Sequence, residues 1–556
     1  MNRPIIITIA SLVLIVFCTN TLIAQDDKLT KEVQVVKPYE PTISDAFKIN
    51  ELPRVEDTIR ISPSFSYNLI MRPVLIGFEV NPIPAARMVA EPLSRISKGY
   101  AKLGFGNYAS PLAELYYSNE RSEDFSYGVW LKHRSSFGNI KLDNNQKVDA
   151  NYNRTNLSAY GKRIFKQSVL KGSIAYNHFG YNLYGFDTLS AAPAIPDSPE
   201  YQAQKNFNLG LNYHSTHSDS THLNYRVSTK FDHFSDKFSV QQSSFYLSGN
   251  IDKYFRVEKI GSTVEFTHHI NSENLSPSNN TLITFSPWVG LFAKQWRVKA
   301  GIRATFDINE RGTQSHFFPI GHLSYDIISN YVIPYFEFSG HIEDNHYSKI
   351  LSENPWATPG LDVWNASHKF IMKGGIKGNM SPKVAYNLSA SFSLVDSAHF
   401  FVNNLNQSEG YFNNTFDVVY DNIRKKDFLG ELTFAPTTNI KIFALAQYTA
   451  YTMQDIDKPW HKPNFTAKTT IWYSLQNKII LKSSIYYEGK RDIMLQNLSS
   501  TQIDGIFDIN LGLEYRYNKR ASAFIDINNL TANRYHAWYL YPVQRFQLML
   551  GITYAL

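Results

Sequence analysis

Two places in the chain hold residue types from which metal or acid–base chemistry is built: the adjacent pair His268 and His269, and a loop with Asp455, Asp457, Trp460 and His461. Neither has the spacing that such chemistry needs. Neighbouring residues on a strand point to opposite faces, so His268 and His269 cannot hold one ion between them. The loop lacks the repeated oxygen ligands of a calcium cage. No Gly-rich phosphate loop, G-x-S-x-G elbow or H-E-x-x-H pair occurs. The single cysteine, Cys18, falls in an apolar leader, so residues 25–556 carry no thiol for catalysis, disulfides or a zinc–thiolate centre. The sequence therefore predicts no enzyme, no catalytic, cofactor-binding or metal site, and no cofactor.

Chemistry of another kind resides in the aromatic residues. The chain has 35 Tyr, 37 Phe and 8 Trp, and aromatic residues make up 14% of it, while only 19% is charged. Rings in such number suit strands and water–lipid boundaries. Tyr116, Tyr117, Trp130, Trp472, Tyr473, Tyr486 and Tyr487 fall near strand ends and are expected in the two interfacial girdles of a membrane barrel. Trp356, Trp364, Trp460, Trp538 and Tyr539 fall in long polar loops instead, where exposed rings imply contact with a ligand, lipopolysaccharide or a partner protein.

The elements that must position these rings repeat with a period of two. Phe507, Ile509, Leu511, Leu513, Tyr515 and Tyr517 alternate with Asp508, Asn510, Gly512, Glu514 and Arg516. Val384, Tyr386, Leu388, Ala390 and Phe392 alternate with Ala385, Asn387, Ser389, Ser391 and Ser393, and Phe207, Leu209, Leu211 and Tyr213 with Asn and Gly. One face of each segment is thus apolar and the other polar. Segments of about ten residues, joined alternately by short turns and long loops, match strands that cross a bilayer at a tilt. A polar inner face means a wet lumen rather than the packed core of a β-sandwich.

The expected fold is all-β, a transmembrane antiparallel barrel of about 22 strands (range 20–24) over residues 98–556. Its closing strand is Phe546, Leu548, Leu550, Ile552, Tyr554 and Leu556, alternating to the last residue. The weakest strand candidates, Phe400 to Val402 and Phe416 to Tyr420, are assigned to one elaborate external loop. Residues 1–24, with Arg3 ahead of an apolar run from Ile5 to Phe17, read as a cleaved signal peptide. Residues 25–97, rich in proline, read as an extended segment in the periplasm or the lumen.

The run Asp526-Ile527-Asn528-Asn529-Leu530-Thr531, followed by Asn533-Arg534-Tyr535, a loop to Tyr541-Pro542 and the last strand, resembles the end of TonB-dependent receptors. Glu353-Asn354-Pro355-Trp356 with Pro359-Gly360-Leu361 resembles a loop that these receptors carry between late strands. Glu32, Val33, Gln34, Val35 and Val36 resemble the short box that pairs with TonB as an added strand. The 73 residues from 25 to 97 are too few for the globular plug of this family.

The resemblance implies an outer-membrane protein taking part in transport of a substrate. Its partners would be outer-membrane lipid and lipopolysaccharide, the barrel-assembly machinery, and TonB or another envelope protein. The other reading is a non-transporting structural or assembly subunit of an envelope complex. Nucleic acid is not expected as a partner, because no long Lys/Arg block occurs.

Overall fold

A computed structural model describes residues 97–556, apart from 120–121, 187–198, 218–220, 404–414 and 496–498. The expected signal peptide, the segment 25–96 and the stretch Glu32 to Val36 lie outside the described residues.

Backbone N–H and C=O groups have no water to bond in hydrocarbon, so a sheet can cross it only by closing on itself. This one does: twenty-two antiparallel strands form a single sheet, from Gly99–Gly106 to Gln547–Ala555. The first strand pairs with Ser110–Ser118 on one side and with the last strand on the other. At this seam Leu103 lies opposite Ile552 and Phe105 opposite Leu550, while Leu550 meets Ile525 across the next pairing.

Alternation sorts the side chains. Phe105, Leu550, Ile552 and Tyr554 are exposed on the outer wall, where lipid replaces water as the solvent of apolar groups. The inner wall is polar. Asn156 donates to Asn177, Asn177 to Asn208, and Asn208 to Asp232, so that amides link four consecutive strands.

Among the aromatic residues near strand ends, alternation corrects the expectation. Tyr117, Tyr473 and Tyr487 share the outward face and are exposed there. Tyr116 and Trp130, opposite one another, share the inward face with Glu114 and Lys132. Trp472 lies on the face of Lys441 and Lys482, with the Lys441 ammonium over its ring, and Tyr486 lies opposite Lys468. Adjacent rings on a strand cannot both reach lipid.

Turns on one rim are short: residues 165–167, 256–257, 293–295, 382–383 and 438–439. The opposite rim carries the long loops, including 344–365 and 529–546. Phe400 to Val402 and Phe416 to Tyr420 are not a separate loop but the upper parts of two barrel strands, Val384–Asn403 and Phe416–Thr437. These have 20 and 22 residues and form a hairpin that rises beyond its neighbours.

Leu550 tests the outer belt. Leu550→Arg places a cation near the middle of the last strand, at a cost of about 2–4 kcal/mol if it lies at the bilayer midplane. The expected result is a lower yield of barrel that resists unfolding in cold detergent gels, whereas Thr553→Ser on the inner face leaves that yield unchanged.

Candidate functional site

Twenty-two strands spaced about 4.8 Å apart and tilted by roughly 40° enclose a ring roughly 40 Å across. Side chains cannot fill such a lumen. The long loops reach into the space instead.

Three of them meet. One follows the fifth strand, Ser168–Leu183, and carries Tyr184; one follows the thirteenth, Ile333–Glu343, and carries Trp356; one follows the twenty-first, Ala521–Asn528, and carries Tyr541. These loops leave the wall eight, eight and six strands apart round the ring, so their bases are widely separated. Yet the Trp356 ring stacks on Tyr541 at 4.0 Å, Tyr184 meets Tyr541 at 5.0 Å, and Tyr184 meets Trp356 at 6.0 Å. The loops after the thirteenth and twenty-first strands therefore reach over the rim and meet at the upper end of the fifth strand, where Tyr184 directly follows Leu183.

Polar bonds fix the junction. Trp356 Nε1 donates to the Asn182 carbonyl at 3.3 Å, Tyr184 Oη to the Pro542 carbonyl at 3.2 Å, and Tyr181 Oη to the Pro355 carbonyl. Trp538 packs edge-on to Phe401 and near His461. Tyr539 packs against the same cluster.

The motif Glu353-Asn354-Pro355-Trp356 builds the inward turn. A short helix, Tyr347–Glu353, buries Tyr347, Ile350 and Leu351 against Phe234, Val240 and Leu275. It stops at Asn354, fully buried, whose Oδ1 accepts the Trp356 N–H at 3.1 Å. Gly360 then takes φ +81°, where a Cβ would lie 2.9 Å from the Asn274 carbonyl.

The Asp526 to Thr531 run has a matching role on the third loop. Asn529 sits in the left-handed region at φ 48°, which Asn tolerates better than most residues. Its Oδ1 accepts from Asn533 N at 3.0 Å and its Nδ2 donates to the Asn533 carbonyl at 2.8 Å.

The loop aromatics make packing contacts within the protein. Trp356, Trp538 and Tyr539 belong to one cluster, and Trp460, only 3% exposed, belongs to a second with Val395, Phe400 and Ile423. Trp364 lies apart, under the Arg311 guanidinium at 3.2 Å. Packing buries Trp460 and covers part of the other four rings.

Charged groups brace the same region. Arg491, buried, donates to the carbonyls of His536 and Ala537, both at 2.7 Å, and so links loop 489–505 to the third loop. His461 Nδ1 donates to the Phe401 carbonyl at 2.8 Å, and burial pushes this imidazole down to about 3. Burial also disfavours the charge on Glu353, but His399 at 3.0 Å and Lys462 outweigh it and hold the carboxyl below its usual range.

His268 and His269 do face opposite ways, but His269 meets partners that the sequence reading did not pair with it. Asp344 and His346, at the start of loop 344–365, bring their ligand atoms within 4.8 Å of one another and of His269. Nothing local to any of the three residues signals this encounter, since 75 positions separate His269 from Asp344.

No protein-family model matches the chain, and no curated protein matches it in sequence. Solved structures do. The siderophore receptor PirA from Acinetobacter baumannii matches with a TM-score of 0.63 at 10% identity, over 84% of this chain and 81% of that one. The FrpB iron transporter from Neisseria meningitidis (F5-1 variant) matches with 0.62 at 11%, over 83% and 82%. The ferric-catecholate import receptor Fiu from E. coli K12 matches with 0.61 at 10%, over 83% and 82%. This chain thus shares the barrel fold of these receptors and transporters.

Two tests address the loop junction. Replacing the buried ring in Trp460→Ala should weaken the upper loops by about 3–5 kcal/mol. Limited proteolysis should then cut within 454–464 and 489–505 while the barrel remains intact.

Acid should act in the same sense. His461 is held neutral while packed and returns to about 6.5 when released. Packing at this position is therefore fully favoured above about pH 6.5 and is lost progressively as pH falls towards 3, by up to tenfold per unit in the open-to-closed ratio. Protease cutting of loop 454–464 should rise between pH 6.5 and 4.5, and His461→Gln should flatten that rise.

Proposed function

We propose that this chain is an outer-membrane transport barrel with a receptor-like outer face, whose mouth is gated by its own loops. One observation carries the reading: above a polar-walled, 22-stranded lumen, loops from the thirteenth and twenty-first strands reach over the rim and pack through Trp356 and Tyr541 on Tyr184 at the end of the fifth strand. A barrel needed only as a scaffold has no use for a wide wet channel under a cover of its own loops.

The likeness in fold to an import receptor, an iron transporter and a siderophore receptor supports the same class. Amides and hydroxyls along the inner wall, Asn156, Asn177, Asn208 and Ser228 among them, suit a polar solute that exchanges hydrogen bonds as it moves. No catalytic role is part of this reading.

In it, the outer belt is solvated by outer-membrane lipid, the loop rim faces lipopolysaccharide, and the barrel-assembly machinery inserts the chain after cleavage near Ala24. Residues 25–97 act as a minimal plug or tether in place of a globular plug domain. Glu32 to Val36 offer an extended edge to TonB, which would pull on the segment to open the path.

Single-channel recording in planar bilayers tests the gate with three proteins: residues 25–556, the same chain with Trp356→Ala and Trp538→Ala, and that double variant beginning at Ser97. The expected series is a closed protein, then intermittent current, then large sustained steps. Silence from all three, each folded, would overturn the transport reading in favour of a subunit of an envelope assembly.

A further inference from the structure

We propose that His269, Asp344 and His346 form a binding site for a late first-row divalent cation, with Zn²⁺ the best fit, and that the ion pins loop 344–365 to the barrel wall. His269 comes from the upper end of strand Glu258–Asn271, whereas Asp344 and His346 open the loop that carries Trp356. The three residues thus join the wall to the loop.

The geometry is close to that of a site. His269 Nε2 lies 2.8 Å from Asp344 Oδ1, and His346 Nδ1 lies 3.8 Å from Asp344 Oδ2. The two imidazoles stack at 4.7 Å with their planes 21° apart. All three ligand atoms fall within 4.8 Å of one another. Bonds of about 2.0–2.2 Å to a tetrahedral ion set its ligand atoms about 3.4 Å apart. Movements of about an ångström or less would complete the site, within the reach of side-chain rotation.

His346 Nδ1 points to the missing member. It is buried and has no hydrogen-bond partner, beside a carboxylate that stands too far away to bond. A buried polar atom in that condition is uncommon and is satisfied by an ion as well as by a hydrogen bond.

Support from behind the ligands is present on the wall side. Ser244 Oγ lies 2.7 Å from His269 Nδ1, fixing the ring with Nε2 turned to Asp344. Tyr246 covers the other edge of His269 at 5.7 Å. The nearest competing cation, Lys349, has its ammonium engaged by Glu343 Oε1, Asn345 Oδ1 and the Asp344 backbone carbonyl, each within 3.0 Å, so it does not occupy the carboxylate.

Two imidazoles and one carboxylate favour Zn²⁺, Ni²⁺ or Cu²⁺. Calcium and magnesium ask for six or more oxygens and are not served here. Three protein ligands leave the fourth position for water.

The experiment uses the full chain, purified in detergent and stripped with chelator, with Zn²⁺ alone titrated against a chromophoric competitor. One equivalent should bind. His346→Ala and Asp344→Asn should each weaken binding at least about tenfold. His268→Ala, on the opposite face of the same strand, and excess Ca²⁺ should leave it unchanged.

Equal binding by the wild type and by the double variant His269→Gln/His346→Ala would overturn the proposal. So would an equal loss in His268→Ala. If a ligand variant does not fold, the wild type still decides: Co²⁺ in place of Zn²⁺ should give the intense visible absorption of a four-coordinate ion, and a weak six-coordinate spectrum would overturn the site.

Discussion

A backbone in hydrocarbon must bond to itself, and in this chain that requirement is met only when Gly99–Gly106 closes against Gln547–Ala555. Nearly everything else follows from that closure at twenty-two strands. The ring is too wide for side chains to fill, so its interior stays polar and wet, as the run Asn156, Asn177, Asn208 and Asp232 exemplifies. A wide wet channel through a membrane needs a cover. The loops on one rim have the length to supply it, while the turns on the other rim are too short.

The cover is itself a small folded body. Tyr347, Ile350, Leu351, Phe401 and Phe416 form a core of ordinary protein type above the membrane, to which the helix Tyr347–Glu353 contributes three of the five. Its stability comes from rings that bury area and find partners for their polar tips, as Trp356 does on the Asn182 carbonyl. Below it the barrel obeys the reverse rule, apolar groups outward and polar groups inward. The two regimes meet in the tall hairpin, where Val384–Asn403 alternates in its lower part and from His399 to Asn403 is buried on both faces.

That change of regime explains what could be read from the chain. Alternation such as Phe507 to Tyr517 identifies a strand with one face in lipid, and the final run to Leu556 identifies the closing strand, because a period of two is local information. Phe400 to Val402 read poorly because both of their faces are covered, which erases the alternation. The meeting of Tyr184, Trp356 and Tyr541 was not legible, since it depends on loops whose positions are set only once the ring closes. His269 gave a similar lesson: its relation to His268 is a matter of strand geometry, but its relation to Asp344 and His346 is a matter of where the thirteenth strand ends. The motifs around Asn354 and Asn529 were visible as resemblances, and the structure supplies their physical purpose, which is to turn a loop inward.

The seam has a mechanical meaning. The first strand is only eight residues long, and the chain enters it directly from Lys98, whose N–H donates to the Leu556 carbonyl at 3.0 Å, while the Leu556 N–H donates to the Gly99 carbonyl at 2.8 Å. A pull along the axis of the first strand would load its hydrogen bonds to both neighbours in shear. Bonds loaded in parallel share the force, whereas a pull across the strand would break them one at a time. The seam that closes the ring is therefore strongest along its own length.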